Sequence, residues 1–185
     1  DVCVDRWCGI GAYDAAKMSS RFAPEVANGA GLLSRGATNA FGSANQVYLY
    51  YCSSDSWVGQ RSDAVLEDPS GEGPPPFRLH FRGHDILVAA AAALSAGVTS
   101  DDGVETLPAL SGATEVLFSG SSAGANGLRS SLDWWAQQVP NASLVGGMMD
   151  SIFLPVVEDI DDQAIADLYD TGLRAHWTTV NNELY

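Results

Sequence analysis

The chain has 185 residues, 46% of them apolar and 17% charged, enough for one domain with a core of its own. Its 23 Asp and Glu against 9 Lys and Arg leave a formal charge of −14, so a nucleic-acid backbone or an anionic membrane surface would be repelled. No apolar run reaches the about 18 residues that a membrane-crossing helix needs, and the sequence is read as not transmembrane.

Residues 1–13 read as an irregular loop. They open Asp1-Val2-Cys3, which is neither an initiator methionine nor a targeting segment, so the absence of a targeting segment here is uninformative. Cys3 and Cys8 are separated by four residues. That spacing suits a small-loop disulfide and an oxidising compartment; three reduced cysteines in a cytosolic protein are the alternative. Cys52 is then a free thiol or pairs outside this chain. No second pair and no nearby His completes a zinc set, and no metal is expected.

Residues 14–22 predict a short helix with Asp14 at its N-cap, and residues 28–44, rich in Gly, Ser, Asn and Ala, a surface loop. NQVYLYYC (45–52) is apolar, aromatic and β-branched, and predicts a strand buried on both faces. Residues 59–76 end in GEGPPP and predict a loop. Residues 77–82 alternate as a short strand. Residues 83–96 predict a helix, with Asp85 in its first turn and Gly97 just past its end. Residues 99–112 read as an acidic loop. An apolar run at 114–118 predicts a strand, 125–138 a helix ended by Pro140, and 143–148 the next parallel strand. EDIDD (158–162) reads as a solvated turn before a helix at 163–177. Strands alternating with helices predict an α/β domain over 1–185 with a doubly wound, mostly parallel sheet, its site at the carboxyl ends of the strands.

Between the strand at 114–118 and the following helix stands Gly120-Ser121-Ser122-Ala123-Gly124. Strand, G-x-S-x-G, helix is the setting of a nucleophile elbow, in which small flanking residues permit a sharp turn and present the serine hydroxyl. On that reading Ser122 is the nucleophile and the Ala123 N–H is an oxyanion donor. The alternative is a Gly-Ser turn whose Ser121 or Ser122 caps the helix. Nucleophilic serine chemistry also needs a base and an acid that orients it, normally later in the chain. His80 and His84 precede Ser122. His176 follows it, and Asp150 or Asp167 could then be the acid; otherwise acid and base lie outside this chain. Asp55 reads as an Asx-turn former or a residue lining the site, Trp57 as a stacking platform or a packed aromatic. Asp133 is expected to tie its helix to a neighbouring loop, and of Trp134 and Trp135 at least one should be core.

Several stretches together resemble the pectin acetylesterase/Notum carboxylesterases: VYLYYCSSDSWVG (47–59), FRGHDI (81–86), SGSSAGANGLRSSLDW (119–134) and the early cysteine pair. The resemblance spans nearly the whole chain. It implies an α/β-hydrolase fold of which this is the central portion, apparently incomplete at both ends. The family's Gly-rich oxyanion loop would fall before Asp1, and its acid and histidine beyond Tyr185. TGLRAHW resembles the helix before that acid, which weighs against His176 as the base. The resemblance further implies Ser122 as nucleophile, Ala123 as oxyanion donor, Ser56 and Trp57 near the substrate mouth, and a secreted, disulfide-bonded, cofactor-free enzyme. Ala125 departs from the family's second elbow glycine, and the cysteine pair is one residue closer than expected. The expected function is a serine carboxylesterase that removes O-acyl groups from a polysaccharide or a lipidated protein. The alternative is a catalytically inactive hydrolase-like module acting as a binding or assembly subunit; separately, a larger assembly or a second chain completing the domain is an expected partner.

Overall fold

The computed structural model describes residues 18–67 and 76–152. In chain order they form β1 (Arg61–Leu66), β2 (Phe77–Phe81), α1 (Gly83–Ala96), β3 (Val98–Thr99), β4 (Thr106–Leu107), β5 (Glu115–Ser121), α2 (Ala123–Gln138) and β6 (Leu144–Asp150), with single 3-10 turns at Ser20–Phe22, Gly31–Leu33 and Leu110–Gly112. The architecture is mixed α and β. Among the described residues the strands form three pairs: β1 with β2 and β3 with β4 antiparallel, β5 with β6 parallel. Among the described residues, the mostly parallel sheet expected from the sequence is represented by the β5–β6 pair. No helix among the described residues is long and apolar enough to cross a membrane.

The β5–α2–β6 unit forms because three local signals agree. Glu115–Ser121 alternates between exposed and half-buried positions, as a strand with one covered face must. Val116 and Phe118 face the helix, and the Phe118 ring lies 5.1 Å from that of Trp135. Trp135 and Leu128 are buried on the same side of α2, seven residues apart, two helical turns. The parallel register runs without a break from Glu115 opposite Leu144 to Ser121 opposite Asp150. This brings the end of β6 directly beside the end of β5.

The buried residues fall into two clusters. Val58, Ala64, Leu79 and Phe81 fill the space around β1 and β2. Trp57, Leu87, Ala91, Leu128 and Trp135 fill the space between α1 and α2. Of the alanines on α1, Ala91 is buried in the second cluster. Gly97 ends α1 at φ 83°, ψ 153°, a backbone state reserved for glycine. A Cβ there would also stand 3.1 Å from the Leu107 carbonyl oxygen. Gly97→Ala is expected to lower stability by about 1–3 kcal/mol, read as an earlier urea midpoint.

The sequence expectations fare unevenly. The helix at 83–96 is found at those residues, and the strands near 77, 114 and 143 are found as β2, β5 and β6. Residues 45–52 are corrected: they belong to no strand. Leu49 and Tyr51 pack against the second cluster, so the segment places side chains without joining a ladder among the described residues. Strand propensity reports a fit to a half-buried pleated surface, and that fit does not by itself supply a partner. The loop expected at 59–76 is corrected at its start, where Arg61–Leu66 pairs with β2. The loop expected at 99–112 contains Thr106–Leu107, the return strand of a short hairpin. Ser20–Phe22 is a single 3-10 turn, capped by the Ser19 hydroxyl, where a longer helix was expected. Residues 14–17, the early loop with Cys3 and Cys8, and the helix expected at 163–177 lie outside the described residues.

Candidate active site

The junction of β5 and α2 is the sharp turn that the glycine spacing predicts. At Gly120 an added Cβ would collide with the Gly124 carbonyl and stand 2.8 Å from the Ala125 nitrogen. Only a residue without a side chain lets the strand end pass so close to the first helical turn. Ser122 then takes φ 52°, ψ −115°, a state that costs a non-glycine residue about 1–3 kcal/mol. The turn is held from both sides. The Ser122 N–H donates to the Asp150 carbonyl at 3.0 Å, and its own carbonyl accepts the first helical bond, from Asn126 N–H at 3.1 Å.

These contacts bear on the two readings of the motif. Ser122 occupies the N-cap position of α2, yet its side chain makes no cap hydrogen bond. Ser121 does not cap the helix either: its hydroxyl donates to the Asp150 carboxylate at 3.2 Å. The Ser122 hydroxyl is left exposed at the head of a helix, where the macrodipole favours negative charge. The Ala123 N–H, first in the helix, has no partner among the described residues. A strained, exposed hydroxyl next to a free N–H at a helix start can attack a carbonyl and hold the oxyanion that results.

The other expected participants are placed as follows. Asp150 ends β6 beside the elbow and accepts from Ser121 and, at 3.1 Å, from Ser151. It braces the turn, and among the described residues no histidine is hydrogen-bonded to it. His80 lies on β2, where its Nδ1 accepts the Asp63 N–H at 3.2 Å. His84 begins α1, its ring 5.5 Å from that of Trp134. Asp167 and His176 lie outside the described residues. Asp133 is exposed on α2, and Trp135 is the buried member of its pair.

The 53–57 segment is wound around Asp55. This aspartate is wholly buried. It accepts from the Ser53 hydroxyl at 2.5 Å, the Trp57 N–H at 3.0 Å, the Gly83 N–H at 2.6 Å and the Gly59 N–H. The bond to Trp57 is the Asx turn expected from the sequence; the bond to Gly83, 28 positions away, had no local signal. Three residues of the segment, Ser54, Ser56 and Trp57, have φ of 52°, 54° and 67°. Trp57 is buried, so its indole is packed among Leu87, Ala91 and Leu128, contrary to a stacking platform at an open mouth. Ser56 is half-buried; its N–H donates to the Tyr51 hydroxyl, and its carbonyl lies against α2 at Gly127.

Burial pushes the Asp55 carboxyl above the usual carboxylate range, and its four hydrogen bonds offset this only in part. A folded value above the unfolded one means that the folded chain holds the proton more tightly. The stabilising contribution is complete below the unfolded value of about 3.9 and is lost as pH rises through the folded value. The stability advantage of the native chain over Asp55→Asn is therefore expected to shrink across that rise. Urea midpoints of both proteins, taken from about pH 4 to about pH 7, check it.

Cys52 precedes this segment, half-buried and in no disulfide among the described residues. Burial raises its thiol pKa, and the neighbouring Asp55 charge raises it further. An open cavity of about 440 Å³ lies between Cys52, Ser53, His80, Arg82, Asp85 and Met18. Neither Ser122 nor Ala123 lines it.

A protein-family model described as Pectinacetylesterase matches residues 5–183. No curated protein and no solved structure gives a significant match.

Proposed function

The chain belongs to the pectinacetylesterase family, and from that premise we propose that it is a serine carboxylesterase which removes O-acetyl groups from an acetylated polysaccharide through an acyl-enzyme on Ser122. The family supports esterase activity on acetylated substrates. The assignment to Ser122 rests on one observation above all: its hydroxyl is exposed on strained backbone at a helix start and is not used as a cap.

On this reading the Ser122 oxygen attacks the acetyl carbonyl, and the tetrahedral oxyanion takes the Ala123 N–H as one donor. The sugar oxygen leaves with a proton, and water then releases acetate from the serine. The base is a histidine later in the protein than Ser122, oriented by an acid of its own, since both described histidines are committed elsewhere on β2 and α1. The fold that unites these parts is an α/β-hydrolase, with β5, α2 and β6 as its nucleophile-bearing segment. The protein acts outside the cell or in the secretory lumen, a reading supported by the Cys3 and Cys8 spacing.

A fluorophosphonate probe tests the assignment. The full-length protein should carry one adduct, mapped by mass spectrometry to Ser122, and should release acetate from acetylated pectin. A folded protein with no adduct at Ser122 overturns the proposal in favour of a non-catalytic binding module.

A further inference from the structure

We propose that Asp55 is a positioning residue of the Ser122 site. Its carboxylate clips the 53–57 segment to the start of α1 and, through Ser56 and Trp57, sets the helix that carries the nucleophile. The proposal rests on the reading of Ser122 as that nucleophile.

Four donors converge on this one buried group, three from its own loop and one from a distant helix: a hydroxyl two residues before it, N–H groups two and four residues after it, and the N–H that begins α1. A buried carboxylate is retained at a cost unless it is fully hydrogen-bonded, as this one is. The bond to Gly83 also does what the local sequence does not. Arg82, at the N-cap of α1, makes no side-chain cap, so the helix start is satisfied from the distant segment. Three left-handed residues in four positions persist only where the surroundings over-determine them, and Asp55 supplies that constraint from within the turn.

The constraint reaches α2 by direct contact. At Gly127 an added Cβ would stand 2.7 Å from the Ser56 carbonyl oxygen and 2.7 Å from the Trp57 Cβ. The segment is thus seated on the helix backbone itself, five residues beyond Ser122. The Gly127 carbonyl is also tied to the buried Ser131 hydroxyl at 2.7 Å. Moving the segment moves the first two turns of α2, and with them the N–H that would face the oxyanion. A displacement of about 1 Å at such a site lowers turnover by up to about a hundredfold.

Three variants of the full protein test this: Asp55→Asn, Ser53→Ala, and Ser53→Thr, which keeps the hydroxyl. Two measurements are made on each, amide hydrogen exchange over residues 119–127 and kcat and KM on an acetyl ester. Ser53→Ala and Asp55→Asn are expected to exchange faster over 119–127 and to lose about ten- to a hundredfold in kcat, with KM little changed. Ser53→Thr should restore both. If Asp55→Asn fails to fold, Ser53→Ala, which removes one donor of four, decides the matter. Folded variants with native exchange over 119–127 overturn the proposal. A native protein that neither labels at Ser122 nor turns over overturns the reading of the nucleophile instead, and the exchange measurement still decides whether Asp55 sets α2.

Discussion

Ser122→Ala is expected to lower kcat on an acetyl ester by about 10⁴- to 10⁶-fold while leaving the fold intact. The loss is large because nothing nearby can replace the attacking oxygen. Ser121 is next in sequence, but its hydroxyl is turned to Asp150. The fold should survive because the Ser122 hydroxyl caps nothing and is exposed, so its removal breaks no described contact. Stability should stay within about 0.5 kcal/mol of the native value, because alanine, like serine, carries a Cβ and bears the same backbone strain at this position. The backbone contacts that shape the turn, through the Ser122 N–H and carbonyl, remain in the alanine variant. Steady-state kinetics alongside a urea titration check both halves. Lost stability with unchanged turnover would make Ser122 a structural residue.

The opposite pattern is expected at Gly120. Gly120→Val should cost about 3 kcal/mol or more, at the upper end of overpacking, and should abolish labelling of Ser122. The reason lies in what the new side chain meets. Its first carbon is already driven into the Gly124 carbonyl and toward the Ala125 nitrogen, which are backbone atoms of α2 and cannot rotate away. Either the strand end separates from the helix or the helix start unwinds, and each removes the turn that raises the hydroxyl. Thermal unfolding and probe labelling of the same preparation check it. A Gly120→Val protein of native stability that still labels would show that the turn does not depend on this close approach.

Much of the elbow was legible in the sequence because its causes are local. A half-buried strand, two glycines around a serine and an amphipathic helix each leave a short-range signature, and together they located β5, Ser122 and α2. The helix at 83–96 was legible for the same reason, having a uniform composition and a glycine stop. What was not legible depends on distant partners. The apolar run at 45–52 has strand composition, yet its hydrogen-bonding neighbour is not encoded in it. Arg61–Leu66 was hidden because its polar start resembles a loop until Phe77–Phe81 is laid beside it. Asp55 was legible as an Asx turn, whereas its bond to Gly83 joins positions that no periodicity connects. Trp57, read as either platform or packing, is buried with Leu87, Ala91 and Leu128, side chains that come from two distant helices.

Trp57 and Val58 are neighbours in the chain, yet each is buried in a different hydrophobic cluster. A single peptide unit thus belongs to both halves of the described structure. Neither cluster can open without pulling on the residue that anchors the other, so the antiparallel pair and the two helices are coupled in unfolding as well as in place. An insertion between these two positions would part the clusters, whereas one in the largely exposed 28–44 segment, which contributes to neither, would leave both undisturbed.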